Sequence, residues 1–307
     1  MGIFYTMTNN LSGPNAEKQE IVGRSARALG YDTMSLFRFA DQYDTDWELR
    51  TRMQAITAAV TEQSVVILQY PSMVSIRYDN CLVNMLKSRK DVQLIIFVED
   101  LGSEVYQERY PELSQEIELF NRCDLLILPS PEMRRVLKEF GLQDIPVMYQ
   151  EVWDYPYPVG NVAEKIHRSC ESRTWDEWFW TQKVESAGIS TSCIDRSVYE
   201  CMCNPLSLGK NIARGIPMIA LKQTRAGAFI GKYSLGFLCD QESSEQEIAA
   251  FTEQLSQEQV DDVRRHIGQV RAMITCGIFT RTLLQDAVFA VMSTACQNSY
   301  NKFSLRE

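Results

Sequence analysis

The sequence predicts an α/β protein of two Rossmann-like domains, the second one shortened. Three observations carry this. Strand-like and helix-like segments alternate over the first 150 residues. The strand-like runs, such as Val65–Gln69, are apolar throughout rather than alternating, as in parallel strands covered on both faces. A segment punctuated by proline and glycine, Trp153–Gly160, cuts the 307 residues near their middle, and X-Pro steps disfavour helix there. The predicted domains are residues 1–152, 153–278 and a C-terminal helix, 279–307, that packs back on the first domain.

Each element has a local reason. Ile3–Thr8 is a short apolar run suited to a buried strand, and Asn9–Pro14 is a turn-forming loop that also caps a helix starting near Asn15. That helix carries Ile21, Val22, Ala26 and Leu29 on one side and stops at Gly30, which tolerates the left-handed position after a helix. Met34–Phe39 is the second strand, and Asp46–Thr61 shows helical spacing at Trp47, Leu49, Met53, Ile56 and Val60. Val65–Gln69 is the third strand, followed by a loop at Tyr70-Pro71-Ser72 and a helix to about Arg89. Val92–Val98 is the fourth strand. Glu99 and Asp100 close it and begin a loop and acidic helical stretch reaching Asn121. Asp124–Leu128, a helix over Pro131–Phe140 and a strand at Ile145–Tyr149 complete the first half.

Beyond Gly160 the alternation weakens. His167–Glu185 reads as a helix rich in Trp175, Trp178, Phe179 and Trp180, which suits either cover for a short sheet or an interface with another chain. Gly188–Cys193 is a strand. Asn204–Asp240 then supplies a capped helix start at Asn204 and Pro205, a helix to Gly215, a strand Met218–Leu221, a loop Lys222–Arg225, a helix to about Gly231 and a strand Gly236–Cys239. Helix starts that follow strands present free N–H groups to an anion. Ser244–Leu255 and Ser256–Met273 read as helices, the latter with Gln259 in capping-box register, and a last helix runs from about Phe279 to Ala295.

A hydrophobic fraction of 45%, with 23% charged residues, is that of a soluble globular protein, and a net charge of −9 argues against a nucleic-acid partner. No signal peptide and no apolar run of membrane-spanning length is found, so a cytoplasmic protein without a transmembrane segment is expected. The 9 cysteines are scattered apart from Cys201-Met-Cys203, and with 2 histidines they suggest buried free thiols rather than a zinc site. Neither a GxGxxG nor a Walker lysine motif is present, which argues against a dehydrogenase or an NTPase.

Leu208-Gly209, Ala213-Arg214-Gly215-Ile216-Pro217, Phe229-Ile230 and Leu235-Gly236-Phe237 together resemble the nucleotide-sugar half of two-domain, GT-B type glycosyltransferases. Asp124–Ser130 with Phe140-Gly141-Leu142, Trp153-Asp154 and Gly277–Leu284 agree in the same order. The chain is most similar to the small bacterial glucosyltransferases that extend O-linked glycans on serine-rich repeat adhesins, and to galactofuranosyltransferase-like relatives. The resemblance implies transfer of a hexose from a UDP-type sugar, a substrate rather than a cofactor, to a glycan or glycoprotein acceptor. A metal-independent reaction is expected, the sequence being read as free of a D-x-D motif.

The resemblance also assigns the sites. The acceptor side falls on the loop bearing Asn9, Asn10 and Ser12, and the family's His-Asp pair after the fourth strand corresponds to Glu99-Asp100. One of these carboxylates serves as general base if burial raises its pKa; otherwise the pair is a solvated strand end. The leaving diphosphate needs cationic or N–H donors. The family's lysine and asparagine fall on Ser207 and Ala226, so both cues are lost, leaving Gly209, Lys210, Lys222, Thr224 and Arg225 as candidates. Arg173 suits a diphosphate or a plain helix start. Trp153 reads as hinge packing rather than as a stacking platform. Two functions therefore stand side by side: an active hexosyltransferase, alone or as a homo-oligomer, and a degenerate relative that partners an active glycosyltransferase.

Overall fold

The computed structural model describes residues 1–157, 188–194 and 197–304. The predicted tryptophan-rich helix, with His167 and Arg173, lies outside them. The chain divides into two compact units, Met1–Gln150 with Thr280–Glu307, and Glu151–Phe279.

In the first unit the order is β1 (Ile3–Asn9), α1 (Pro14–Ala28), β2 (Asp32–Phe37), a 3-10 turn (Asp41–Tyr43), α2 (Asp46–Ile56), β3 (Val65–Tyr70), α3 (Ile76–Lys87), β4 (Gln93–Val98), α4 (Gly102–Val105), α5 (Leu113–Phe120), β5 (Leu125–Leu128), α6 (Pro131–Glu139) and β6 (Val147–Tyr149). The six strands form one parallel sheet in the order β2-β1-β3-β4-β5-β6. The chain reverses direction across the sheet between β1 and β3. Open α/β sheets bind ligands at the carboxyl ends of their strands, at such a reversal. β3 is buried at every position, as its unbroken apolar run implies, whereas the edge strand β2 alternates.

Several local expectations are corrected. The second strand starts two residues earlier than its apolar run, because Asp32 and Thr33 pair with Phe4 and Tyr5 of β1. The helix from Asp46 ends at Ile56, and Trp47, assigned to its buried face, is 75% exposed; Leu49 and Met53 alone bury within the helix. No side chain caps α1: its cap is Gly13, in the left-handed region at φ 73. The loop and acidic helical stretch before Asn121 holds two short helices, α4 and α5.

The second unit holds β7 (Ser190–Cys193), α7 (Val198–Met202), α8 (Leu206–Arg214), β8 (Met218–Leu221), α9 (Arg225–Tyr233), β9 (Gly236–Cys239), α10 (Glu245–Glu253) and α11 (Gln257–Thr275). Among the described residues its sheet is three parallel strands, β7-β8-β9. A core of Leu208, Ile212, Met218, Ala220, Phe229 and Ile230 is closed by Val263, Ile267, Val270 and Ile274 of α11. α8 packs so closely on the preceding segment that a Cβ at Gly209 would collide with the Trp153 carbonyl oxygen. Trp153 is buried, as a packing residue is. Asn204 does not cap α8 as expected; the cap position is Pro205 and no side chain fills it. The capping box of Ser256 and Gln259 is formed.

After Gly277 a last helix, α12 (Ile278–Ser304), carries the chain back into the first unit. No single helix among the described residues is long and apolar enough to cross a membrane. Described cysteines are free; Cys123, Cys193, Cys203 and Cys239 are buried, but Cys276 is exposed and Cys81 and Cys201 are half-buried, so burial of the thiols is not general.

Candidate functional site

The carboxyl ends of β1, β3 and β4 gather the acceptor-side candidates. Asn9 ends β1, and Asn10 follows it in the left-handed region at φ 63. Ser12 is exposed just before α1. The Glu99 amide donates to the Tyr70 carbonyl, which extends the β3–β4 ladder beyond the strands and fixes where the two carboxylates begin.

Glu99 and Asp100 are not a solvated strand end. They are 3% and 7% exposed. Lys18, one turn into α1, reaches over with its Nζ 2.6 Å from Asp100 Oδ2 and 3.4 Å from the Glu99 carbonyl oxygen. Burial pushes the Glu99 carboxyl well above its ordinary range; the Lys18 ammonium works against that shift and the Asp100 charge adds to it. Glu99 Oε1 has no hydrogen-bond partner among the described residues, nor have Gln69 Oε1 and Gln19 Nε2, both buried beside it on β3 and α1.

Two further acids, which the sequence did not single out, hold this rim in shape. Glu116 on α5 is fully buried and accepts from the Gly102 amide at 2.6 Å, the Ser103 amide at 3.0 Å and the Tyr70 hydroxyl at 2.7 Å. It thereby caps the segment that follows Asp100. Asp79 on α3, also fully buried, accepts from the Ser72 amide at 3.3 Å and the Tyr110 hydroxyl at 2.9 Å. Burial pushes the Asp79 carboxyl up to about 7, against the Ser72 and Tyr110 hydrogen bonds that lower it. Tyr110 stacks edge-on to Tyr70 at 5.9 Å and packs against Gly102, so the loops after β3 and β4 share one brace. The one signal available in the sequence was the paired Tyr70 and Tyr110, whose hydroxyls need partners when buried.

The nucleotide-side candidates sit at the carboxyl ends of β7 and β8. Ser207, in the first turn of α8, donates its hydroxyl to the Ser192 carbonyl at 2.9 Å. Asn211, one turn on, donates to the hydroxyls of Ser190 and Ser192. Gly209 lies on the Trp153 backbone. Thr224 caps α9, accepting from the Gly227 amide at 3.0 Å while its own proton goes to the Leu221 carbonyl at 2.8 Å, which leaves the hydroxyl no proton for a phosphate. Lys222 is exposed and paired with Asp240 at 2.7 Å. Arg225, first residue of α9, and Lys210 of α8 are half-buried. The start of α8 has no side-chain cap, whereas α9 is capped by Thr224.

The reading that no D-x-D motif is present is corrected: the spelling occurs at Asp44-Thr45-Asp46. The structure uses it as a helix start: Thr45 caps α2, Asp44 pairs with Arg52 at 2.7 Å and Asp46 with Arg77 at 2.7 Å.

Comparison with known proteins agrees with this architecture. The family profile described as Glucosyltransferase 3-like, N-terminal domain, matches residues 4–152, and that of Glucosyltransferase 3-like, C-terminal domain, matches residues 184–287. Glucosyltransferase 3 of Streptococcus gordonii is 24% identical over 332 aligned positions, covering 92% of this chain and 98% of that protein. Its counterpart in Streptococcus parasanguinis is 22% identical, covering 94% and 98%. Among solved structures, Anabaena HepE in complex with UDP-glucose is similar at a TM-score of 0.57 and 11% identity, over 94% of this chain and all (100%) of that one. Sucrose-phosphate synthase of Thermosynechococcus elongatus is similar at a TM-score of 0.52 and 12% identity, over 99% of each chain. The fold is thus that of the GT-B glycosyltransferases.

Proposed function

The chain belongs to the Glucosyltransferase 3-like family of glycosyltransferases, and from that premise we propose that it moves a hexose, without a metal, from a UDP-sugar to a hydroxyl of a glycan or glycoprotein. In this reading the amides at the start of α8, with Lys210 and Arg225, offset the charge that builds on the departing diphosphate. Glu99 accepts the proton that the acceptor hydroxyl loses as it bonds to the sugar's anomeric carbon and the bond from that carbon to UDP breaks. Lys18 favours the charged form of Glu99, and Asn9, Asn10 and Ser12 face the acceptor from the β1 loop.

The observation that carries the reading is the buried Glu99 with an unmatched oxygen at the carboxyl end of β4, beside the Lys18–Asp100 pair. A group kept from water and displaced in pKa fits a role in proton transfer. A second reading is favoured by the other rim, where Ser207, Thr224 and Lys222 are all engaged within the protein: a relative with a weakened donor site that stabilises an active glycosyltransferase. Calorimetry with UDP and assay of UDP-glucose hydrolysis separate the two. Micromolar UDP binding, lost in Arg225→Ala and Lys210→Ala, together with turnover lost in Glu99→Gln, supports the enzyme. Absence of UDP binding, with an active transferase co-purifying, supports the partner.

A further inference from the structure

The segments that follow β1, β3 and β4 meet around one side chain, Tyr106. It comes directly after α4, and its carbonyl accepts from the Arg109 amide at 2.9 Å and the Tyr110 amide at 3.0 Å, which fixes its backbone. Its hydroxyl accepts from the side-chain amide of Asn15, in the first turn of α1. The same Asn15 nitrogen lies 3.6 Å from Met73 Sδ in the loop after β3, and Arg109 donates to the Met73 carbonyl at 2.6 Å. Met73 stands in the left-handed region at φ 68, a conformation that a residue with a side chain keeps where its surroundings impose it.

Tyr106 also stands beside the buried acids of this rim. Lys18, one turn on from Asn15 and so on the same face of α1, is the group that reaches Asp100 and the Glu99 carbonyl. Burial raises the pKa of the Tyr106 hydroxyl above its ordinary range; the Asn15 hydrogen bond and the Lys18 ammonium work against this, and the charges of Asp100 and Glu99 add to it. The phenol therefore keeps its proton at neutral pH. Asn15 gives a hydrogen to the oxygen, and no acceptor among the described residues takes the hydroxyl's own proton. Glu99 and Asp100 are buried, whereas Tyr106 and Asn15 are half-buried, so these two are the part of the cluster that a ligand reaches first.

We propose that Tyr106, oriented by Asn15, binds the acceptor by donating its hydroxyl proton to the sugar hydroxyl next to the one that reacts. The inference rests on the transferase reading and narrows its substrate to a sugar ring with neighbouring hydroxyls, rather than a lone serine or threonine hydroxyl. The reacting oxygen gives its proton to Glu99 and needs its lone pair for the anomeric carbon. A phenol proton on that same oxygen would weaken it as a nucleophile, so Tyr106 serves a second oxygen. A phosphate or carboxylate is disfavoured there, because the ammonium of the cluster, Lys18, is already matched by Asp100.

The test follows UDP release from UDP-glucose by the whole protein and by Tyr106→Phe. Methyl glucoside, methyl galactoside and methyl N-acetylglucosaminide serve as acceptors, with N-acetylserinamide as the single-hydroxyl control. At least one glycoside is expected to speed release, and Tyr106→Phe to raise its KM about tenfold with a smaller effect on kcat, as for the loss of one hydrogen bond. Monodeoxy forms of that glycoside find the partner oxygen: one of them should bring parent and Tyr106→Phe to the same KM, which a tyrosine of merely structural use would not do. Equal KM in parent and variant for the full glycoside, or a gap that every deoxy form keeps, overturns the assignment. So does serinamide serving as well as any glycoside, and so does hydrolysis that no glycoside speeds. A parent protein that neither hydrolyses UDP-glucose nor transfers from it refutes the transferase reading itself, and the role of Tyr106 falls with it.

Discussion

Replacing Asp79 with asparagine should change how stability depends on pH, and by an amount the structure sets. The folded carboxyl titrates at about 7 and the unfolded one at about 3.8. A folded pKa raised above the unfolded one contributes stability that is complete below the unfolded value and is lost as pH rises through the folded one. The window is therefore about pH 4 to 7. Integrated over it, the loss approaches about 4 kcal/mol, of which roughly 2 to 3 kcal/mol falls between pH 5 and pH 8. In Asp79→Asn the amide oxygen still accepts from Ser72 and Tyr110, while the amide nitrogen takes the place of Oδ1, which has no partner. That unmet donor costs about 1 to 2 kcal/mol at every pH. The variant should accordingly be less stable than the parent at about pH 4, draw level with it at about pH 5 and pass it by roughly 2 to 3 kcal/mol at pH 8. Urea unfolding followed at several pH values measures this. Parallel curves for the two proteins, with no convergence as pH rises, would refute a neutral buried Asp79 and the brace built on it.

Two further predictions test the rims separately. Lys18→Met removes the ammonium that lowers the Glu99 pKa, so the rising limb of the hydrolysis rate against pH should move to higher pH; an unmoved limb separates Lys18 from the proton-transfer step. Gly209→Ala should destabilise the second unit by about 3 kcal/mol, because its Cβ meets a backbone carbonyl that cannot yield. Gly268→Ala on α11, where a Cβ meets nothing within 4 Å, should instead stabilise by up to about 1 kcal/mol. Chemical denaturation reads both, and a silent Gly209→Ala removes the close approach on Trp153 as the reason for that glycine.

The sequence made the layers readable and left most of the site unreadable, for a definite reason. Apolar runs and helix caps are local, so β3, the Ser256 capping box and the α8–β8–α9–β9 order could be seen in the chain itself. The α2 face was misread because Trp47 has helical spacing whether or not anything covers it. Glu99 and Asp100 were found from a family pattern, yet the partner of Asp100 is Lys18, distant in sequence and near in space. Asp79 and Glu116 look like any acid on a helix. Their role comes from the amides of Ser72, Gly102 and Ser103, which no periodicity predicts. Arg173 lies outside the described residues, while Ser207 and Thr224 prove to be engaged with the backbone around them.

The two rims handle charge in opposite ways, and the difference bears on the chemistry. At the end of the first sheet, Asp79, Glu99 and Glu116 are withdrawn from water together, although apolar residues of similar volume would generally make a more stable core. Such a concentration persists where it has a use, and acids kept in a water-poor setting suit proton transfer and the fixing of a hydroxyl. At the second rim the described polar groups are mainly backbone amides, hydroxyls and surface cations. In the proposed reading these answer a charge brought by a ligand, with a helix start and a guanidinium in place before the anion arrives. A sugar transfer needs both: a place where a proton leaves a neutral hydroxyl, and a place where a diphosphate gathers charge. If Glu99→Gln retained full turnover while UDP binding stayed intact, the first rim would only align the acceptor, and the proton would have to leave by way of the donor's own phosphate oxygens.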